Sequence, residues 1–388
     1  MQVHFPALYI MINAGKHKLL FIAVLLILGC GGKENEPSPG DDTKDRKVIL
    51  THWADNVIVP SYESFHEKLY AMTVAADAFI ASPDESTLPV LRSAWEDAYL
   101  EWQNVELFEF GPADKYTLRN FFNIYPTDVA GIVSNMNDPS VNLALPATYT
   151  RQGFPALDYL INGVAGDDAG IVDYYTTGEE SGKRIAYLER ITTRMASLLQ
   201  SVIDEWGGPY REKFINDTGL DIGSSMGVVV NGYVLYYERY IRSGKIGIPS
   251  GAAIGSAGVP YPEKIEALFR RDISLALAKN AHHAAEGFFN GKDVTTGLEG
   301  PSFKSYLDAL EAKDATSNTL LSDIINSQFE TINAELDELS PDLYQQIETD
   351  NGKMADTYAA MQKLVRMLKV DMTSAMSVTI TYTDNDGD

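Results

Sequence analysis

Apolar residues recur every three or four positions along most of this chain, the period of helices that bury one face. Leu91, Trp95, Ala98, Trp102 and Val105 mark one such stripe. Leu188, Ile191, Met195, Leu198, Val202 and Trp206 mark a longer one, closed by the stop signals Gly207-Gly208-Pro209. A shorter stripe runs through Phe303, Leu307 and Leu310, and another through Leu321, Ile324, Ile325, Ile332 and Leu336 up to Ser340-Pro341. Met354, Tyr358, Met361, Val365 and Leu368 form the last. Pro262 is placed to open a helix ahead of Ile265, Leu268 and Phe269, and Pro60 to kink or split a helix over 50–80. Strand signals are confined to Val378, Ile380 and Tyr382, which alternate with polar residues, while Val228–Tyr237 fits either a strand or a buried helix. The expected fold is all-α with little β structure, built as helix bundles.

The first thirty residues break this pattern. Lys16, His17 and Lys18 precede the apolar run Leu19–Leu28, which Gly29-Cys30 follows at once. Such a segment reads as a secretory signal peptide and is too short to span a bilayer. Met11 would serve as a start giving a more usual leader length. Ile27-Leu28-Gly29-Cys30 resembles a bacterial lipobox, in which the cysteine becomes the lipid-bearing first residue. Residues 30–47, rich in Pro, Gly and charge, read as a disordered tether. The expected location is the bacterial cell envelope, lipid-anchored, with the outer membrane favoured and the body facing the periplasm or the surface.

Charge and length narrow the partners. The 388 residues carry 31 Lys and Arg against 54 Asp and Glu, a formal charge of −23. A body so acidic is unsuited to nucleic acid and to lying on an anionic membrane, so membrane contact is expected only through the anchor. One cysteine excludes a disulfide framework and any cysteine-rich metal site. The length favours two domains, divided within 207–262. The expected organisation is a signal peptide over 1–29, a tether over 30–47, and helical bundles over 48–240 and 241–388 with a groove between them.

Catalytic signatures are sparse. His282, His283 and Glu286 fall on an expected helix with two of them on one face, yet no H-E-x-x-H pattern is present and a core or solvated role is favoured. No G-x-S-x-G elbow, phosphate loop or Cys–His pair occurs. Asp384-Asn385-Asp386-Gly387-Asp388 matches half a calcium loop but ends before the distal ligand. Trp95, Tyr99 and Trp102 suit a core better than a ligand cage. Glu106 stands apart: four residues beyond Trp102, it lies near the buried face and needs a partner, for which Arg119, Arg151 and Lys245 are candidates.

Five blocks in order resemble one family. Trp95-Glu96-Asp97-Ala98-Tyr99 through Glu106-Leu107-Phe108-Glu109-Phe110-Gly111 is similar to the first block of the imelysin-like proteins. Tyr125-Pro126-Thr127-Asp128 resembles their Trp-Pro-x-Asp turn. Arg151-Gln152-Gly153-Phe154-Pro155-Ala156-Leu157-Asp158 resembles the region of their G-x-H-x-x-E signature. Lys245-Ile246-Gly247-Ile248-Pro249 and the terminal Thr383–Asp388 resemble two later blocks. The resemblance covers about residues 48–388 and implies two related helical bundles with a groove between them. It also implies a choice of functions, since members include proteins classed as metallopeptidases and others that resemble iron-associated periplasmic binding proteins. Here Pro155 stands where the signature has His, and Asp158 where it has Glu. Proline offers neither an imidazole nor an N–H, so ligation and base chemistry are lost at that position.

The resulting expectation is a non-catalytic envelope lipoprotein that binds a small polar ligand, a metal complex or an envelope partner protein, in a role related to iron uptake. A metal-dependent peptidase with an altered site is the alternative. No cofactor is identified and no zinc is expected. The expected binding residues are Glu106, Asp128, Arg151, Asp158, Arg242 and Lys245, beside the motif residues Gly153 and Pro155. These three acids and three bases would converge in the groove, near neutrality, which suits a polar ligand better than a bare cation. A salt-bridge network that merely fastens the bundles is the competing role. Replacing Cys30 with Ala should release the protein from membrane fractions; retention of Cys30→Ala in membranes at high salt would overturn the lipoprotein reading.

Overall fold

The long apolar stripes fold as helices because each presents one continuous face to a common core. The structure, a computed structural model, describes residues 39–382, with side chains from residue 45. The leader, Cys30 and the terminal acidic block from Thr383 lie outside the described residues. In chain order the helices are α1 Pro39–His52, α2 Val59–Ala81, α3 Thr87–Trp102, α4 Pro112–Tyr116, α5 Leu118–Phe122, α6 Val129–Asn137, α7 Gly153–Asp158, α8 Asp168–Thr176 and α9 Ser181–Trp206. The second half holds α10 Pro209–Asn216, α11 Ser225–Leu235, α12 Ile248–Ser250, α13 Ser274–Asn290, α14 Phe303–Ala309, α15 Leu321–Asp337, α16 Leu343–Arg366 and α17 Thr373–Ala375. Wider, π-helical turns interrupt at Trp53–Ile58, Tyr159–Gly163, Tyr236–Gly247 and Met367–Met372. No strand is formed among the described residues, only two isolated bridges.

Two groups of helices result. In the first, α2 packs on α3 and α9, and the short helices α4–α8 pack against α9 or join α3 to it. In the second, α13, α15, α16 and the π-helical stretch Tyr236–Gly247 pack together. Helix α13 also lies on α3, and Trp53 stacks on Phe288 at 4.8 Å, so one core runs through both groups. All five residues of the Leu91–Val105 stripe are buried. Their aromatics pack in specific pairs, Trp102 on Phe122 at 5.0 Å and Tyr99 on Phe154 at 4.5 Å, both stacked. The ambiguous run Val228–Tyr237 is helical and heavily buried, and the helical run from Ser225 continues without a linker to Ser250, across residue 240.

Three local expectations are corrected. First, α1 begins at Pro39, inside the stretch read as tether over 30–47. Composition alone hid the tertiary anchors at its end: Arg46 donates to the Thr218 carbonyl at 2.7 Å, and Lys47 to Asn216 Oδ1 at 2.7 Å. Second, Pro262 opens a single 3-10 turn, Pro262–Lys264, and no longer helix. Glu266 beyond it is buried and Ala267 has φ of 56°, which a right-handed helix cannot accommodate. Third, the alternating stretch near 380 finds no partner strand. Its backbone is served by one side chain: Asn231 Oδ1 accepts the Thr381 N–H at 2.8 Å, and Asn231 Nδ2 donates to the Thr379 carbonyl at 3.0 Å.

His282 is a core residue. The Phe329 carbonyl, 3.4 Å from Nε2, can only accept, so Nε2 carries the proton and Nδ1 accepts from the Tyr237 hydroxyl at 2.7 Å. Burial pushes the imidazole down to about 3. The unfolded chain therefore binds a proton that the folded one refuses between about pH 6.5 and pH 3, and stability falls as pH drops through that window. His282→Gln, which can keep both hydrogen bonds, should lose less stability than the wild type between pH 7 and 4.5. The difference, on the order of 2 kcal/mol, is measurable by urea unfolding at the two pH values.

Candidate functional site

At the centre of the molecule lies a charged network sealed from water. Glu106, in a 3-10 turn that continues α3, is 2% exposed, as its spacing from Trp102 predicts. Its Oε2 lies 3.8 Å from Lys245 Nζ and accepts from the Tyr236 hydroxyl at 3.2 Å; its Oε1 accepts from Asn123 Nδ2 at 3.0 Å. Glu266 is the closer partner of Lys245, forming a short ion pair through Oε2. Its Oε1 accepts from Asn123 Nδ2 at 2.7 Å and Gln103 Nε2 at 3.2 Å. Lys245 also donates to Gln103 Oε1 at 2.8 Å, and Tyr99 donates to Asn123 Oδ1 at 2.7 Å. Burial raises the Glu106 carboxyl, Lys245 opposes that rise, and Glu266 adds to it. Arg119 closes one side, donating to the Glu106 carbonyl at 2.7 Å with its guanidinium 4.1 Å from the Tyr240 ring.

The segment carrying Glu266 is pinned a second time by Asp158. This carboxylate is 1% exposed and accepts the Phe269 N–H at 2.8 Å and Asn162 Nδ2 at 3.0 Å. Burial pushes it up to about 7 in spite of those donors. The Phe269 ring lies so close to Gly163 that a Cβ there would come within 2.4 Å of it. Residues 265–270 thus form a strap held at Glu266 and at Phe269, with the left-handed Ala267 between the two anchors. Gly153 has φ of 78°, and a Cβ on it would sit 2.3 Å from the Phe122 carbonyl oxygen. This close approach seats α7 against α5 and sets the position of Asn123. Pro155 is the third residue of α7, in the first turn, where a missing N–H is harmless.

Arg242 lies on the same π-helical stretch as Lys245. It is 1% exposed, 3.9 Å from Glu238, and its guanidinium is 5.3 Å from the Tyr358 ring. It opens onto a cleft of about 370 Å³. One wall is Glu238, Arg239, Arg242 and Ser243; the facing wall includes Tyr261 and Lys264; the turn Ile254–Ser256 supplies a third side. Glu238 also meets Lys369 Nζ at 3.2 Å and accepts from the Tyr382 hydroxyl at 2.8 Å.

Asp128 and Arg151 stand elsewhere. Asp128 caps α6, accepting the Gly131 N–H at 2.8 Å, and Arg151 Nε reaches its Oδ2 at 3.0 Å while Nη1 bonds Asn135. The pair is partly exposed. So the six residues expected to converge fall into four places: Glu106 with Lys245, Asp158 on the strap, Arg242 at the cleft, and Asp128 with Arg151 at the helix cap. Sequence reasoning missed Glu266, Asn123 and Gln103 in the network, and Arg239 and Lys264 at the cleft. Glu266 did leave a signal, as the lone acid within Ile265-Glu266-Ala267-Leu268-Phe269.

The residues at the family signature do not fit zinc. Pro155 has no donor atom, and Asp158 is taken up by backbone and amide donors. Among the described residues, no three His, Cys, Asp or Glu side chains gather as a metal ion requires.

This helical architecture, together with its degenerate signature, belongs to a known class. The Imelysin family model matches residues 58–370, and the chain belongs to the imelysin family. Iron-regulated protein A of Synechococcus elongatus is 28% identical over 139 residues, which span 34% of this chain and 37% of that relative. A crystal structure of a protein described as an iron-regulated protein A precursor, from Parabacteroides distasonis, superposes with a TM-score of 0.66 at 19% identity, covering 87% of this chain and 96% of its own. An imelysin-like protein from Psychrobacter arcticum does so with a TM-score of 0.66 at 16% identity, covering 88% and 98%. At these identities the structures establish the shared fold.

Removing Lys245 strands two buried acids, whereas removing the ion pair as a whole does not. Lys245→Met should cost about 3–5 kcal/mol in urea unfolding. Lys245→Met combined with Glu266→Leu should recover most of that loss. If the double variant is no more stable than the single one, the two residues are not coupled as described.

Proposed function

We propose that this protein is a lipid-anchored cell-envelope binding protein that captures a small polar ligand or metal complex in iron acquisition, without peptidase chemistry. The observation that carries the reading is the cleft at Arg242, a volume of about 370 Å³ at the lower end of small-molecule sites. It is the place where buried charge meets solvent; the network at Lys245 is closed off and serves to fasten the elements around it. The iron connection is supported by the names of two of the relatives, an iron-regulated protein A and an iron-regulated protein A precursor, and by membership of the imelysin family. The absence of a histidine at Pro155 supports the non-catalytic part. The anchor rests on Cys30 and the leader before it; no described helix is long and apolar enough to cross a membrane.

Native mass spectrometry of the full chain, isolated from envelopes of iron-limited cells, should show one small molecule per protein. The pure protein should leave unfolded protein substrates intact with or without chelator. Cleavage that a chelator abolishes, or stoichiometric zinc in the isolated protein, would overturn this reading in favour of the peptidase.

A further inference from the structure

Helix α9 carries a polar face that lines a second cleft. Arg190, Thr193, Arg194 and Ser197 follow one another at steps of three, one and three, so they share one side of the helix. They border a volume of about 570 Å³, which Val141, Asn142 and Leu143 line from the loop after α6. No residue of this cleft belongs to the one at Arg242.

Both arginines are held by groups that leave their charge unanswered. Arg194 Nε donates to Gln152 Oε1 at 3.0 Å, and its guanidinium lies 4.3 Å from the Phe121 ring. Gln152 is itself buried, its amide donating to the Leu143 carbonyl at 2.8 Å and to Thr148 Oγ1 at 2.9 Å. Arg190 Nη2 donates to the Val141 carbonyl at 2.6 Å. None of these partners is an acid, and among the described residues neither arginine forms an ion pair. Burial lowers the Arg194 guanidinium, and no carboxylate opposes that fall. Glu189 stands on the cleft margin, exposed and without an ion pair among the described residues. Asp138, outside the lining, is lowered first by Ser140, and Arg190 is the last of its influences.

Two positioned guanidiniums, each with N–H groups left over, call for an oxyanion. A planar carboxylate is saturated by one fork. A phosphate monoester brings three acceptor oxygens and about two negative charges on one centre, enough for both arginines and for the Thr193 and Ser197 hydroxyls. The cleft is wider than a bare phosphate needs, and Val141, Leu143 and Leu198 offer apolar walls to an organic group. An anionic bilayer is a poor source of that phosphate, because a chain of formal charge −23 is repelled by it.

We propose that the cleft on α9 binds a small phosphate monoester, with the phosphate between Arg190 and Arg194 and the organic part against Val141, Leu143 and Leu198. Gln152, fixed by its own buried bonds, sets the Arg194 fork before the ligand arrives, which lowers the ordering cost of binding. The site is additional to the cleft at Arg242, and neither reading depends on the other.

Calorimetric titration of the full chain with phenyl phosphate, inorganic phosphate and benzoate tests it. Phenyl phosphate should bind at one site, more tightly than inorganic phosphate, and benzoate should be at least about tenfold weaker. Thr193→Glu puts a carboxylate between the two guanidiniums at an exposed helical position. It should weaken phenyl phosphate at least about tenfold without lowering the melting temperature. Arg190→Gln should also lose at least about tenfold. Lys363→Gln, the same charge change on an exposed face of α16, should stay within about twofold of wild type. Unchanged affinity in Thr193→Glu overturns the site. Benzoate bound as tightly as phenyl phosphate overturns the phosphate class. Failure of both phosphates to bind at millimolar concentration overturns the proposal, unaffected by what the cleft at Arg242 holds. Flotation with phosphatidylcholine vesicles containing phosphatidic acid is the last arm. Capture by those vesicles that Arg190→Gln abolishes, with no binding of phenyl phosphate, overturns the small ester in favour of a lipid headgroup.

Discussion

The architecture around the site depends on one buried ion pair, Lys245 with Glu266. An ammonium and a carboxylate removed from water must satisfy each other and every remaining lone pair, or the fold loses several kcal/mol per charge. Here Gln103, Asn123 and Glu106 complete the set, each from a different stretch of the first helical group. Lys245 comes from the π-helical stretch and Glu266 from the strap, so three distant segments must arrive together before any charge is satisfied. That requirement makes the arrangement specific in a way that apolar packing alone does not, since greasy side chains tolerate sliding and repacking.

Several features that look unfavourable in isolation follow from this requirement. Ala267 holds a left-handed conformation because its neighbours are tied on both sides, Glu266 to Lys245 and the Phe269 N–H to Asp158. The twelve residues of wide helical turns at Tyr236–Gly247 bring Tyr236, Glu238, Arg242 and Lys245 to their separate partners, a use in keeping with the functional bias of π-helical segments. Gly153 accepts positive φ so that α7 can lie against the Phe122 carbonyl, which sets Asn123 between the two carboxylates. Asp158 stands at the signature position, and its work here is to hold backbone. Asp158 thus serves as a structural anchor for the strap.

Helices with a one-sided apolar stripe were legible in the sequence because their burial is local and periodic. The stripe ending at Val105 even located Glu106 as a buried acid, since one helical turn separates it from Trp102. What escaped was set by long-range partners. The strap after Pro262 carries a helix-like spacing of Ile265, Leu268 and Phe269, yet a charge seeking Lys245 overrides that spacing. The end of α1 is held by Thr218 and Asn216, some 170 positions away, and no composition rule sees them. In α9 the fully buried residue is Leu199, with Leu198 only partly covered, a shift of one position that periodicity cannot resolve. Charged residues near family-like blocks were a sound guide to burial for Glu106, Asp158, Arg242 and Lys245. They were a poor guide to convergence: Asp128 and Arg151 answer to a helix cap, a demand that is local to α6.

The distinction between fastening and binding follows from where solvent can reach. A network closed to water can stabilise or position, but a ligand can enter it only if the fold opens, at the cost of exposing unpaired charge. The rim of the cleft at Arg242 carries no such cost, because its walls are already apart and Arg239 and Lys264 are only half-buried there, while Arg242 itself is buried. The two are nevertheless one device, since the ion pair between the walls sets their spacing. Loosening the pair should therefore alter the cleft even though no cleft residue changes. Stability and the geometry of the cleft are linked through Lys245, while Lys264 stands on the cleft wall outside the buried network.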